Sequence, residues 1–370
     1  MSSESETGEG TWISTSEAAA RLGVKRATLY SYVSRGVLRS QRMPGQAESL
    51  FVRDEVDALA AAKHDGRRSG DRLMRFRALA TKVSAIRDDR LYLRGCELSE
   101  LCAERDFAAA ARFVLDVDAG SVAPEPSVDD VRDGVVAGVA LERRIPLVVA
   151  LAAARDPLRD DLSDPGGRVL ALLPSLAAAV PEIDLTHPWV NLLATTLIDN
   201  GLAASTTAAR VAASARAGVL DCLLAGYAAL SGVLHGGAPV AAYEMVDAVS
   251  SGLDVDRAIA DAVTGGRLPG FGHVVYVGDD PRATIVLDRI RADRPESASL
   301  AAAEAIVARA GRPMNVDLAS AVIACELELP RRTPEVLFQY ARTVGMAAHV
   351  AEEYSEAPLR WRGSNSGSPS

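Results

Sequence analysis

Lysine is nearly missing from this 370-residue chain. Only Lys25, Lys63 and Lys82 occur, so almost all of the 40 basic residues are arginine, a bias of composition before it is one of chemistry. Aromatic residues make up only 5% of a chain that is 48% hydrophobic. An interior so rich in alanine, leucine and valine favours helix over sheet. The four cysteines, Cys96, Cys102, Cys222 and Cys325, show no CxxC or metal-ligand spacing. That excludes a zinc-ribbon or disulfide framework and predicts reduced, packed thiols in a cytoplasmic protein. The longest clean apolar run, Ile145 to Ala154, is too short to span a bilayer, which predicts no membrane partner. The opening M-S-S-E-S-E-T-G-E-G is acidic and polar, the reverse of a signal peptide. No internal repeat is visible.

Charge is unevenly placed. The net charge is -9, yet residues 11–94 carry 17 Lys/Arg against 9 Asp/Glu, a local balance of +8. A basic front on an acidic body predicts an anionic partner for the front alone.

Residues 1–10 are expected to form a disordered tail. Thr15-Ser16-Glu17 then opens a short helix over Ala18–Leu22, with Gly23 as its stop. A second helix is predicted from about Arg26 to Ser34, with Leu29 and Val33 on one face. A hairpin wing turns at Pro44-Gly45, and Asp54 caps a further helix through Val56, Leu59 and Ala60. The run A-A-R-L-G-V-K-R-A-T-L-Y-S-Y-V-S-R-G-V-L resembles the MerR/excisionase type of winged helix-turn-helix. The resemblance covers some 50 residues, within a module assigned to 11–63. It implies that the second helix enters a DNA major groove with Lys25, Arg26, Thr28, Tyr30 and Ser31, while Arg39, Arg42 and Arg53 on the wing touch phosphates. A retained docking module with a merely solvated basic face is the alternative. Residues 64–84 read as an Arg-rich linker, with residues beyond 85 forming the body.

Helical patterns dominate the body: Phe107–Val117, Val128–Val139, Pro146–Ala154, Arg168–Val180, His187–Leu197, Thr206–Arg216 and Val219–Leu234. No strand alternation persists, so the fold class is all-α. Leu268 to Ala283, L-P-G-F-G-H-V-V-Y-V-G-D-D-P-R-A, combines a glycine-rich turn, an imidazole and a guanidinium. Such a loop suits a small anion, with His273 polarising a carbonyl and Arg282 gripping a carboxylate.

This stretch resembles the G-F-G-H-x-V-Y-x-x-x-D-P-R-A signature of citrate synthases. Leu234-His235-Gly236-Gly237-Ala238 and Asn315-Val316-Asp317 resemble that family's L-H-G-G-A and N-V-D blocks, in the same order. Leu91-Tyr92-Leu93-Arg94-Gly95-Cys96 resembles its Y-R-G entry. The resemblance implies a large helical domain (85–238 and 321–362), a small one (239–320) hinged over the site, a homodimer, and a disordered tail over 363–370. It implies acyl-CoA and oxaloacetate as substrates, with no metal and no bound organic cofactor. The implied roles are Asp317 as base, His235 as enolate donor and His273 as polariser of the keto group. Arg282 and Arg342 (in A-R-T-V-G) would clamp carboxylates, and Arg360 would reach the neighbouring subunit's site. Taken singly, each also fits a bland role: a C-terminal helix histidine for His235, an N-cap for Asp317, a surface residue for Arg342. His64 and His349 match no such position and are expected at the surface, and His187 is expected to be structural.

The pattern also breaks. Where the family carries D-H-E-x-N-A-S-T, this chain has Asp199-Asn200-Gly201-Leu202-Ala203-Ala204-Ser205-Thr206. Asn200 replaces a histidine that helps bind oxaloacetate; an amide donates a hydrogen bond but takes no charge. Val274 and Val277 stand where the family has basic residues facing coenzyme A, and Pro239 replaces an asparagine. Two functions follow from these observations. One is a citrate-synthase-like acyltransferase; the alternative is a DNA-binding regulator whose body senses a metabolite without turnover.

Overall fold

A computed structural model describes residues 12–34, 38, 40–42, 49–53, 55–57, 80–118, 136, 138–263 and 266–361. The chain divides into two units, Met1–Leu79 and Ala80–Ser370. The expected tails, Arg39, Asp54, residues 64–79 and most of the predicted helix at 128–139 lie outside the described residues.

The first unit opens with a strand, Trp12–Ser14 (β1), followed by helices Thr15–Leu22 (α1) and Arg26–Ser34 (α2). The Ser14 side chain caps α1 by accepting from Glu17 N–H, and Gly23 ends it at φ 60°, in the left-handed region. Strands Ser40–Arg42 (β2) and Ser49–Val52 (β3) pair antiparallel as the expected wing. β1 adds to the other edge of β3, a third strand that three residues of sequence did not announce. Ile13, Ala18, Leu22, Leu29, Phe51 and Val56 form the small core.

The second unit is helical, as predicted, with one exception. Strands Ser84–Arg87 (β4), Arg90–Leu93 (β5) and Cys96–Glu97 (β6) form an antiparallel meander. They are too short for alternation to be visible in the sequence. Residues 80–84, assigned above to the linker, belong to this unit, with Val83 buried in its core and Ser84 Oγ donating to Asp199 Oδ2 at 2.5 Å.

The helices follow in order: Leu98–Glu104 (α3), Phe107–Leu115 (α4), Leu141–Ala154 (α5), Pro165–Ala178 (α6), Pro188–Leu197 (α7), Ala204–Ser214 (α8), Val219–Leu230 (α9), Pro239–Ser250 (α10), Val255–Ala262 (α11), Pro281–Asp293 (α12), Ala298–Ala310 (α13), Val316–Glu326 (α14) and Thr333–Tyr354 (α15). Three boundaries differ from expectation for identifiable reasons. α5 runs through Pro146 instead of starting there. Proline cannot donate to Glu142 C=O one turn back, and Gln339 Nε2 does so at 2.9 Å. α6 begins at Pro165 because Asp164 caps it, accepting from Gly167 N–H, with proline in the first turn. α9 stops at Leu230, where Gly236 N–H folds back onto Leu230 C=O at 2.8 Å, so His235 lies in a loop.

α15 is buried on every side from Thr333 to Val350. A helix buried on all sides makes a domain core, and α15, which buries Glu335, Gln339, Arg342 and His349 along with its apolar residues, packs against α4, α5, α6, α7, α8 and α9. Gly345 lets it approach the end of α7, since a β-carbon there would collide with Ile198 C=O. No described helix is long and apolar enough to cross a membrane.

Candidate active site

The histidine loop is built by backbone pairing. Gly270 takes φ 81° and packs its α-carbon against Leu318, where a side chain would meet Leu318 Cβ at 3.1 Å. Gly272 N–H donates to Pro313 C=O (2.8 Å), Asn315 N–H to Gly270 C=O (2.9 Å) and Asp280 N–H to Met314 C=O (3.0 Å). These bonds strap the His273 loop to the start of α14, which carries Asp317. Asn315 completes the strap, with its Oδ1 capping α14 at Asp317 N–H and its Nδ2 donating to Gly272 C=O. Asn315, not Asp317, is therefore the N-cap. From the β4–β5 turn, Asp89 accepts from Val277 and Gly278 N–H at 2.9 and 3.1 Å.

Around His273 three N–H groups converge. Val275 N–H donates to Nδ1 at 3.1 Å; with that nitrogen accepting, a proton on the neutral ring would sit on Nε2, where it faces two further donors. Asn200 Nδ2 lies 3.1 Å from that Nε2, and Arg282 Nη2 lies 3.3 Å from it. Tyr276, 5% exposed, donates its hydroxyl to Asn200 Oδ1 at 2.5 Å and thereby turns the amide NH2 toward the ring. Burial, then Arg282, lowers the His273 pKa to about 4. A donor cluster without an acceptor is what a ketone oxygen requires.

His235 sits beside Ser205, Oγ to Nε2 at 2.9 Å, with its ring edge on Phe338 at 5.8 Å between centroids. Burial, then Arg342 and Arg282, lower its pKa to about 4. The same two arginines thus act on both histidines. Asp317 keeps partial exposure, yet desolvation of its carboxyl pushes the pKa up to about 7, against the opposing pull of Arg282.

The arginines differ. Arg282 is held by Asp280, Nε to Oδ1 at 2.9 Å and Nη2 to Oδ2 at 2.6 Å. Asp280 also caps α12 and accepts from Val316 N–H. Arg342 is fully buried, not a surface residue. Its Nε donates to Leu197 C=O at 3.1 Å, its guanidinium lies over Phe338, and neither Nη1 nor Nη2 has a hydrogen-bond partner. Burial lowers its pKa to about 10, leaving it charged at neutral pH. Arg360 is not with this group. Glu353 of the same chain grips it, Oε1 to Nε and Oε2 to Nη2, both at 2.7 Å.

His349 is a correction. It is fully buried rather than at the surface. Nδ1 accepts from Arg210 Nη1 and Nε2 donates to Asp199 Oδ2, each at 3.1 Å, so the residue next to Asn200 is fixed. His187 is structural as expected, capping α7 by accepting from Trp189 N–H. The sequence pattern assigns no role to Ser205, Tyr276 or Asp280, although all three lie within the family's blocks. Asp280-Pro281-Arg282 was readable as cap, first-turn proline and capped N–H.

In the first unit, Lys25 and Arg26 are exposed at the start of α2 and Thr28 is half-buried. Arg26 Nη2 donates to Ser16 Oγ. Tyr30 lies on α2 and Arg42 on β2.

A family profile described as "Citrate synthase, C-terminal domain" matches residues 146–362, more than half of the chain. The chain belongs to the citrate synthase family. A second profile, "Helix-turn-helix domain", matches residues 12–64. A putative citrate synthase 2 of Mycobacterium tuberculosis is 36% identical over 166 residues, covering 42% of this chain and 44% of that protein. A citrate synthase of Haloferax volcanii is 34% identical over 170 residues, covering 44% and 45%. The match thus spans less than half the length of these curated relatives. Two solved citrate synthases share the fold. That of Pyrobaculum aerophilum has a TM-score of 0.64 at 20% identity, covering 89% of this chain and 95% of its own. That of Thermoplasma acidophilum, solved with carboxymethyl coenzyme A and oxaloacetate, has a TM-score of 0.61 at 20% identity, covering 79% and 94%.

Proposed function

We propose that the second unit condenses a short acyl-CoA thioester with a 2-oxo acid by citrate-synthase chemistry, oxaloacetate being the acceptor bound by the Thermoplasma relative. The observation that carries this reading is the donor cluster of His273 Nε2–H, Asn200 Nδ2 and Arg282 Nη2, with no acceptor among them. A keto oxygen placed there accepts from all three and its carbon becomes electrophilic. Asp317, with a pKa near 7, is matched to removing a proton from the thioester methyl group. His235 Nε2 pairs with Ser205 Oγ at 2.9 Å; with the hydroxyl as donor, the ring proton sits on Nδ1 and is free to donate to the enolate oxygen.

In the balanced reaction the methyl carbon bonds to the ketone carbon, the alkoxide takes the proton from His273, and the proton that Asp317 removed from the methyl group restores the neutral ring. Water then cleaves the thioester and the coenzyme A thiol leaves. Neither a metal nor an organic cofactor enters these steps. Arg342 holds the carboxylate beside the ketone. Val274 and Val277, 79% and 83% exposed, leave the thioester approach less cationic than the family's basic residues make it. Assembly as a homodimer, with large and small domains at 85–238/321–362 and 239–320, belongs to the same proposal. Release of thiol that requires both substrates, and that disappears in Asp317→Asn, tests it. Thiol release that survives in that variant would refute it.

A second reading rests on the helix-turn-helix match and on exposed Lys25 and Arg26: the first unit binds DNA. Lys25, Arg26, Thr28 and Tyr30 of α2 would face the groove, with Arg39 and Arg42 at phosphates. Salt-dependent binding of duplex DNA by the full chain tests it, and absence of binding at low salt would refute it.

A further inference from the structure

We infer that the acceptor is a 2-oxo acid with a single carboxylate, rather than a dicarboxylate; the inference rests on the condensation proposed above and narrows its substrate. Count the charge at the keto-acid end. Arg282 lies against Asp280 through two hydrogen bonds, so its charge is already compensated. Both histidines sit neutral at physiological pH, each lowered by burial and by neighbouring arginine. Asn200 stands where a charge-bearing histidine was expected and remains uncharged at any pH. Arg360, expected to supply a cation across a subunit boundary, is held within its own chain by both oxygens of fully buried Glu353. Trp361 Nε1 donates to the same carboxylate at 2.9 Å, which pins the segment further.

That leaves Arg342. Among the described residues of the site it is the guanidinium with no carboxylate in ion-pairing distance. It is also fully buried with both Nη groups unpartnered. A buried, charged donor pair without acceptors is costly unless a ligand supplies them. The planar fork of Nη1 and Nη2 fits one carboxylate bidentately. One uncompensated cation and one empty fork match one carboxylate. Among the described residues of this chain, a second carboxylate would meet no cation except Arg282, which Asp280 already holds.

The reaction then joins acyl-CoA, a 2-oxo monocarboxylate and water to give a 2-hydroxy dicarboxylic acid, coenzyme A thiol and a proton. The test compares thiol release by the full-length protein with acetyl-CoA and either glyoxylate, pyruvate or oxaloacetate. The expected result is a kcat/KM at least about tenfold higher for one of the monocarboxylates, the size that an unpaired buried polar group imposes on discrimination. In Asn200→His the oxaloacetate-to-pyruvate ratio should rise about tenfold or more. Higher kcat/KM with oxaloacetate in the unaltered protein would overturn the inference and leave the condensation standing. Thiol release with none of the three would refute the condensation instead. In that event calorimetric binding of pyruvate and oxaloacetate decides this inference separately, tighter oxaloacetate overturning it.

Discussion

Asn200 Nδ2 lies 3.1 Å from His273 Nε2, and the amide is turned that way by Tyr276, whose hydroxyl holds Asn200 Oδ1 at 2.5 Å. The tyrosine therefore acts on the reacting groups through the amide. Tyr276→Phe removes that hydroxyl without opening a cavity and frees the amide to rotate. The expected outcome is a fall in kcat of about tenfold or more, smaller than the loss of a direct oxyanion donor, with KM for the thioester unchanged. Steady-state kinetics checks it, and circular dichroism should show an unaltered fold.

Asp317 titrates near neutrality because its carboxyl is desolvated. As the base it works only when ionised, so kcat/KM should rise with pH through about 7 and level off above it. The stability consequence has the opposite sign. The folded state holds the proton up to about pH 7, whereas the unfolded carboxyl releases it near 3.8. Between those values the folded chain binds more protons, so stability falls as pH rises. Asp317→Asn should therefore be more stable than the parent at pH 8, by on the order of 2 kcal/mol, while losing about a thousandfold or more in turnover. Urea denaturation at pH 5 and pH 8 checks this, and the difference between the two proteins should be smaller at the lower pH.

Both site histidines are held neutral with pKa values near 4. Their unfolded forms protonate near 6.5, so stability contributed by the neutral rings is full above that value and declines as pH drops toward 4. Thermal melts in a pH series should show this loss, and His235→Gln should make it shallower.

The buried chain Asp199–His349–Arg210–Glu353 fixes the end of α7 against α15. His349→Ala leaves Asp199 and Arg210 without their shared partner in a dry interior. The expected destabilisation is about 3 kcal/mol, the scale for breaking a buried charged network, measured by denaturant unfolding. A loss below about 0.5 kcal/mol would class it with surface substitutions.

How much of this was legible in the sequence depends on whether the signal was local. The helices of the second unit follow from their apolar periodicity and their caps, and the G-F-G-H, H-G-G and N-V-D blocks located the groups that come together. Pro146 misled, because its missing N–H is compensated by Gln339, nearly 200 positions away and invisible to any local window. His349 misled for the same reason: its partners come from elsewhere in the chain, Asp199 from the loop after α7 and Arg210 from α8, and nothing in H-V-A-E-E announces burial. The short strands β1 and β4–β6 carry too few residues for alternation to speak. Arg342 and Arg360 read alike as arginines in motifs. Only the packing distinguishes the unpartnered fork of one from the carboxylate-clamped cation of the other.

The first unit gives a separate expectation. If α2 enters a DNA groove, Lys25→Ala in the full chain should reduce the slope of log K against log salt by about 1, the signature of one released counterion. Titration at several salt concentrations measures it, and an unchanged slope would place Lys25 away from the phosphates.

The central claim is carbon–carbon bond formation, and nuclear magnetic resonance of acetyl-CoA carrying a 13C-labelled methyl group tests it most directly. Incubated with full-length protein and a 2-oxo acid, the labelled methyl carbon should reappear as a methylene bonded to the former keto carbon, and it should fail to do so in Asp317→Asn. Label that stays in acetyl-CoA, or emerges only as free acetate, would contradict the account.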